Sequence, residues 1–188
     1  MESSKRDWRS YQVIAAAREP LVKYMLEALE ESGCTIVKEP DPSRAPFAIE
    51  FENPSGNREG ILAYAFFANS KPTRNRPPDE WRFQVKYGGD DQEDHYLWHD
   101  KTGYYTTIMV GINPEVGIFV GADPVLNNPT RFFISKEFKE HHVKKIHQDG
   151  WHYWSRVWRN KVQNLDRIEV LVGGTKDRFL EFVRFERE

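Results

Sequence analysis

Residues 61–68 read Ile-Leu-Ala-Tyr-Ala-Phe-Phe-Ala, the longest apolar run in a chain of 188 residues. Apolar residues at consecutive positions predict a central strand covered on both faces, because an exposed face would carry polar residues at every second position. Helices are therefore expected to flank the sheet. The run is too short to cross a bilayer.

Shorter alternating patterns surround this central run. Residues 47–52 place Phe47, Ile49 and Phe51 on one face, which predicts a half-buried strand. Similar patterns predict strands at residues 81–87, 104–110 and 116–121.

Helical spacing is clearest after Pro20, where apolar residues recur until Gly33 supplies a stop. Residues 10–18 are expected to form a preceding helical segment that bends at the proline. Two further helices are predicted between Ser135 and Val162, divided by Gly150.

The tail is predicted to be a closing hairpin, with strands at residues 168–172 and 179–185 around Gly173-Gly174. The fold class expected is α/β or α+β. It is a single domain, residues 1–188, with a central mixed sheet, an N-terminal helix and two helices late in the chain. The chain stops directly after a strand pattern, which is compatible with a longer parent protein.

Composition supports an ordered globular protein of the cell interior. Hydrophobic residues make up 39% and charged residues 30%, with six Trp, eight Tyr and twelve Phe. Cys34 is the single cysteine, so no internal disulfide can form. The first residues lack the apolar stretch of a signal peptide, and we therefore expect a cytoplasmic location.

Charge is distributed unevenly although the formal net charge is only -2. Residues 131–161 carry eight basic and three acidic side chains and four of the six histidines. Basic side chains neutralise phosphates, so this segment and the proline-bearing loop at residues 70–78 are candidate DNA-binding surfaces. The candidate contacts are Lys71, Arg74, Arg76, Lys144, Lys145, Arg156 and Arg159.

The tryptophans of the same segment would share one face of the predicted second late helix, at Trp151, Trp154 and Trp158. An exposed indole could stack on an extruded base. Core packing is the competing interpretation, because such a stripe usually faces the protein interior.

A possible catalytic set combines Glu50 and Glu52 on one strand with Gln84 and Lys86 on a later strand. Metal-dependent phosphodiester cleavage needs carboxylate and other oxygen ligands for a divalent cation and a lysine near the scissile phosphate. Glu50 and Glu52 are the candidate metal ligands and Mg²⁺ the implied cofactor. The alternative is an ordinary cross-strand ion pair, worth about 0.2–1 kcal/mol.

The segment Phe83-Gln84-Val85-Lys86-Tyr87 resembles the final half-motif of the PD-(D/E)xK nuclease superfamily. Gln84 stands where that family normally has Asp or Glu. The resemblance implies a metal-dependent nuclease whose leading acid would be Glu50, Glu52 or Glu59, and it covers roughly residues 20–125.

Three functions follow as hypotheses. The first is a DNA-acting protein of restriction or defence type, in its finer form a Mg²⁺-dependent endonuclease. The second is a non-catalytic DNA-binding module that recognises a modified or flipped base. The third is a protein-interaction domain, whose patch would be apolar and whose binding would depend little on salt.

Overall fold

The computed structural model describes residues 8–87, 92–160 and 165–188, without the side chains of residues 158–160 and 165. The helices are α1 (Ala15–Glu31), α2 (Glu140–Asp149) and α3 (Phe179–Arg187). The strands are β1 (Tyr11–Gln12), β2 (Thr35–Lys38), β3 (Arg44–Ala45), β4 (Phe47–Glu52), β5 (Arg58–Asn69), β6 (Glu80–Val85), β7 (Tyr105–Asn113), β8 (Ile118–Ala122), β9 (Ile134–Lys139), β10 (Trp151–Asn160) and β11 (Leu165–Thr175).

Within the described residues, nine strands form one mixed sheet. Seven of them follow the order β10-β11-β8-β7-β5-β4-β2, and β6 joins the end of β5 and carries β9. The β5–β7 pair is parallel and the other pairs are antiparallel. The apolar run at residues 61–68 lies in β5, between β4 and β7, as its pattern predicts. β1 and β3 form a separate two-stranded sheet.

Helices α1 and α3 cover one face of the sheet. Phe182 of α3 packs on Phe119 of β8 with ring centroids 5.0 Å apart, and Phe179 contacts Tyr24 of α1 at 6.4 Å. A Cβ on Gly121 would lie 2.2 Å from the Phe182 ring, so the close approach of α3 requires glycine at this position.

Helix α2 and the β6–β9 pair cover the opposite face. Ile146 of α2 lies against Gly173 of β11, and Phe83 of β6 lies against Gly111 of β7. Gly111 and Gly173 share one face because both are in register with Val120 of β8. The central strands are therefore buried on both sides, which explains their continuous apolar sequence.

The expected fold class is confirmed: a single mixed α/β domain with one N-terminal and two late helices. The helical segment predicted over residues 10–18 begins later than expected: residues 11–12 belong to β1, and residues 15–18 belong with Pro20 to the single helix α1, Ala15–Glu31.

The second late helix was predicted in the wrong place, because residues 151–160 form strand β10. The spacing of Trp151 and Trp154 fits a helix, yet the strand puts these two side chains on opposite faces. Gly150 ends α2 with a φ of 75°, and the aromatic residues that follow favour a strand.

The predicted closing hairpin at residues 168–185 is also wrong in its second half. Phe179, Phe182 and Val183 have the i, i+3, i+4 spacing of a helix, and all three are buried in α3. The first half, residues 168–172, belongs to β11, which pairs with β10 instead.

No helix within the described part of the chain is long and apolar enough to span a membrane.

Candidate docking surface

Glu50, the first predicted catalytic carboxylate, accepts a hydrogen bond from the hydroxyl of Tyr105. The two residues lie on β4 and β7, on either side of Gly60 of β5. A Cβ on Gly60 would lie 2.6 Å from the Tyr105 ring, so the glycine makes room for the ring to cross. Glu52 stands opposite Arg58 in the β4–β5 register.

Gln84 lies toward the other end of β5, and Lys86 follows the end of β6, next to Tyr87, which packs on Phe66 of β5. Ala68 pairs with Phe83, which places Gln84 level with Phe67, whereas Glu50 pairs with Gly60. Gly60 and Phe67 are seven residues apart along β5, a distance of ~23 Å at about 3.3 Å per residue of extended strand. The sheet therefore does not bring Glu50 and Gln84 into one site.

The exposed Lys86 ammonium lies 5.1 Å from the centre of the Phe133 ring. The Gln84 amide donates to the carbonyl of Phe133. Among the described residues, no group of three or more His, Cys, Asp or Glu side chains is placed to hold a metal ion.

Three of the seven predicted phosphate contacts have acidic partners. Lys145 pairs with Asp149 at 2.8 Å, and Arg156 pairs with Glu169 at 3.3 Å. Arg76 is buried, pairs with Glu80 at 3.6 Å and donates to the carbonyl of Lys71 at 2.9 Å, so it fixes its own loop. The side chain of Arg159 lies outside the described residues.

Lys71, Arg74 and Lys144 remain exposed. Within the described ranges, no carboxylate forms an ion pair with any of the three. The loop that carries Lys71 and Arg74 ends beside the start of α2, because the Glu140 N–H donates to the carbonyl of Asp79 at 2.8 Å.

Lys136, one of the basic residues of the segment 131–161, is buried. Its ammonium lies 3.0 Å from Glu169, and the two side chains are 1% and 0% exposed. Asn127 donates to the same carboxylate at 2.7 Å. Burial lowers the pKa of the Lys136 ammonium, and the charge of Glu169 opposes this shift. This network joins β9 to β11.

The β10–β11 hairpin has two different faces because side chains alternate along each strand. Trp154, Leu171 and Glu169 lie on the face that packs on β9, where Trp154 contacts Phe138 at 6.1 Å. That face carries the ion pairs of Lys136 and Arg156 described above.

The opposite face of the hairpin is apolar and exposed. Tyr153, Val157, Ile168 and Val170 are 67%, 58%, 74% and 41% exposed. Val157 stands directly opposite Ile168, and Val170 stands opposite Ser155, so the four side chains share one surface. We call these four residues the hairpin patch.

The hairpin patch continues toward helix α3. Trp151 lies on the same face of β10 as Tyr153 and contacts Phe185, itself 49% exposed, with ring centroids 6.1 Å apart. The other exposed large apolar residues come from separate segments: Ile14, Val37, Tyr96, Val116, Val125 and Phe133. Contiguous exposed apolar surface of this kind marks interaction sites, whereas scattered residues need no explanation.

Behind the hairpin, histidine and tryptophan rings support β10. His142 of α2 stacks on Trp154 at 4.2 Å with an interplanar angle of 8°, and its Nδ1 accepts the backbone N–H of Lys139 at 3.0 Å. Burial first, and then the neighbouring His141 and His152, lower the pKa of His142 from 6.5 to about 4. The ring is thus neutral at neutral pH, as its acceptor role requires.

A second surface feature is a pocket of about 390 Å³ beside β7 and the end of α3. Glu186 lines it, and burial, followed by the charge of Asp123, raises the pKa of this carboxyl to about 8. Two residues that line the pocket contact acids singled out by the sequence: Tyr105 donates to Glu50, and Arg187 pairs with Glu59 at 2.8 Å.

Fold and surface together define a single mixed α/β domain with a bare apolar hairpin face. The model of the methylase-associated X1 family matches residues 59–183, from β5 into α3. This match spans well over half of the chain, which therefore belongs to that family. The association is compatible with a restriction-modification or defence context. Neither curated proteins nor solved structures give a match.

The hairpin patch is the feature that the sequence interpretation missed. Residues 152–157 alternate between His152, Trp154 and Arg156 on one side and Tyr153, Ser155 and Val157 on the other. That alternation is a strand signal, and it was hidden by the helix-like spacing of the tryptophans.

Proposed function

We propose that this chain is an accessory protein-interaction domain of a restriction-modification system, and that it binds a DNA methylase through the hairpin patch. The observation that carries the proposal is the exposed apolar face formed by Tyr153, Val157, Ile168 and Val170. Side chains of this type supply hydrophobic free energy when a partner covers them.

Two further points support a protein partner. The family is described as methylase-associated. The basic side chains at Lys145 and Arg156 are held in ion pairs, which leaves fewer free charges for phosphates.

The test measures binding of this chain to each DNA methylase encoded in the same genome, purified separately. We expect one to bind, and we expect Tyr153→Lys or Ile168→Lys to weaken its binding roughly thirtyfold or more, as for a central interface residue. Because the contact is apolar, the affinity should change little between about 50 and 200 mM salt.

Matched controls exist elsewhere on the surface. Tyr96 is 70% exposed and Ile14 is 75% exposed, close to the values for Tyr153 and Ile168. Tyr96→Lys and Ile14→Lys should leave the affinity unchanged. The proposal fails if no methylase binds, or if the control variants weaken binding as much as the patch variants.

A second candidate function is DNA binding, supported by the exposed Lys71, Arg74 and Lys144, with which no carboxylate of the described residues forms an ion pair. It predicts that duplex DNA binds at low salt, that affinity falls steeply as salt rises, and that Lys71→Ala with Arg74→Ala reduces the salt dependence. Absence of binding at low salt would remove this candidate. The Mg²⁺-dependent nuclease, as its finer form, is tested by cleavage assays of wild type and Lys86→Ala.

A further inference from the structure

The seven-strand path of the main sheet ends in two edge strands among those described, β2 and β10. An edge strand presents unpaired backbone N–H and C=O groups, to which another chain can pair. Natural proteins protect such edges with short strands, bulges, charges or proline. The two edges of this sheet differ in length and in regularity.

The β2 edge is protected. It has four residues, and its register shifts between Ile36 and Lys38. Thr35 and Lys38 are exposed polar residues at its two ends. A short, irregular and polar strand is a poor template for a partner strand.

The β10 edge is neither short nor irregular. It has ten residues, and its register with β11 runs without a shift from Trp151 opposite Gly174 to Asn160 opposite Leu165. It contains no proline. Arg156, which could guard the edge, is held by Glu169 at 3.3 Å.

We propose that the edge of β10 takes up an extended strand of the methylase partner as an additional strand of the sheet. This inference rests on the proposed function and names how that partner is held. Backbone hydrogen bonds would supply part of the affinity, and alternate side chains of the added strand would supply specificity.

The hairpin patch determines the chemistry of the added strand. Tyr153 and Val157 lie on one face of β10, with Ser155 between them on that face. A strand with β-branched or aromatic residues at every second position would place them beside these two side chains. DNA offers no row of alternating donors and acceptors that pairs with a strand edge, so the edge selects a polypeptide.

Residue-resolved amide hydrogen exchange tests the inference with the methylase identified by the binding experiment. In the free domain, we expect the outward-pointing amides at alternate positions of β10 to exchange faster than their inward-pointing neighbours. In the saturated complex, exchange of that outward set should slow by roughly tenfold or more. Amides of β2, the matched control edge, should keep their rates.

Two results would overturn strand addition while leaving the proposed function intact. One is a saturated complex, sensitive to Tyr153→Lys, in which the outward amides of β10 exchange as fast as before. The other is protection of the same amides in the domain alone, accompanied by a concentration-dependent dimer in sedimentation, because a second copy would then occupy the edge. If no complex forms, the proposed function itself fails.

Discussion

Lys136 and Glu169 form an ion pair from which water is excluded. The loss of hydration of two buried charges offsets much of their attraction, so such a pair contributes little net stability while removal of one partner is costly. Here Asn127 donates to Glu169, and Arg156 adds a second cation at the same carboxylate. The pair joins strand β9 to the β10–β11 hairpin.

Lys136→Met should destabilise the domain by about 3–5 kcal/mol, because the Glu169 carboxylate would stay buried without its nearest cation. The double variant Lys136→Met with Glu169→Leu should be less destabilised than the single variant. Urea unfolding measures both free energies. Lys144→Met, at an exposed lysine of α2, is the control and should stay within about 0.5 kcal/mol of wild type. Equal effects at positions 136 and 144 would contradict the argument.

At the scale of elements, the hairpin is held between α2 and β9 by stacked rings. His142 both caps the start of α2 and stacks on Trp154 of β10. Protonation would remove the lone pair that accepts the Lys139 N–H. The His142 ring thus links its own protonation to both the start of α2 and the packing of β10.

Stability should fall as the pH drops from about 6.5 to about 4, because the pKa of His142 is lower in the folded than in the unfolded protein. Above the unfolded value both states are neutral, and the contribution is fully present. His142→Asn, which keeps an acceptor but does not titrate in this range, should reduce the pH dependence of the unfolding midpoint. His147→Asn in the last turn of the same helix should leave it as in wild type. Parallel profiles for His142→Asn and wild type would exclude this role.

Comparison of the elements shows which patterns in the sequence were sufficient to predict a helix or a strand correctly. β5 was predicted because the continuous apolar run at residues 61–68 is typical of a strand covered on both faces. α1 was predicted because Leu21, Met25 and Leu29 share one helical face. β10 was predicted to be a helix because Trp151 and Trp154 have helical spacing. α3 was predicted to be a strand because the spacing of Phe179 and Val183 fits the period of a strand as well as that of a helix. Lys136 was counted among the basic residues of the candidate DNA-binding segment, residues 131–161, because the strand that buries it was not recognised.

The candidate site depended on pairing that one sequence does not encode locally. Glu50 and Gln84 both lie in correctly predicted strands, but the distance between them is set by where each strand meets β5. Similarly, the 74% exposure of Ile168 depends on tertiary packing, which the local sequence does not encode.

At the scale of the whole molecule, both helical layers and the β6–β9 pair pack on the same central strands of the sheet. Phe119 and Phe182 join the sheet to α3 on one side, and Ile146 and Gly173 join it to α2 on the other. Every layer therefore shares the same central strands, and no part of the described structure has a separate core.

Heating should accordingly unfold the domain in a single cooperative transition. Calorimetry should give equal calorimetric and van't Hoff enthalpies, provided that the sample is monomeric. Lys136→Met should lower the midpoint and keep the transition single, because the β9–β11 contact belongs to the common core. Two resolved transitions, in the wild type or in Lys136→Met, would show that the β6–β9 pair or the hairpin unfolds independently.

The opposite faces of β10 have a consequence for how this strand can evolve. Inserting or deleting one residue before Tyr153 would turn the tyrosine toward Phe138 and expel Trp154 and Arg156 into solvent. Both faces would be lost in one genetic event, although no side chain had been replaced. Relatives should therefore differ in the length of this segment by even numbers of residues or not at all.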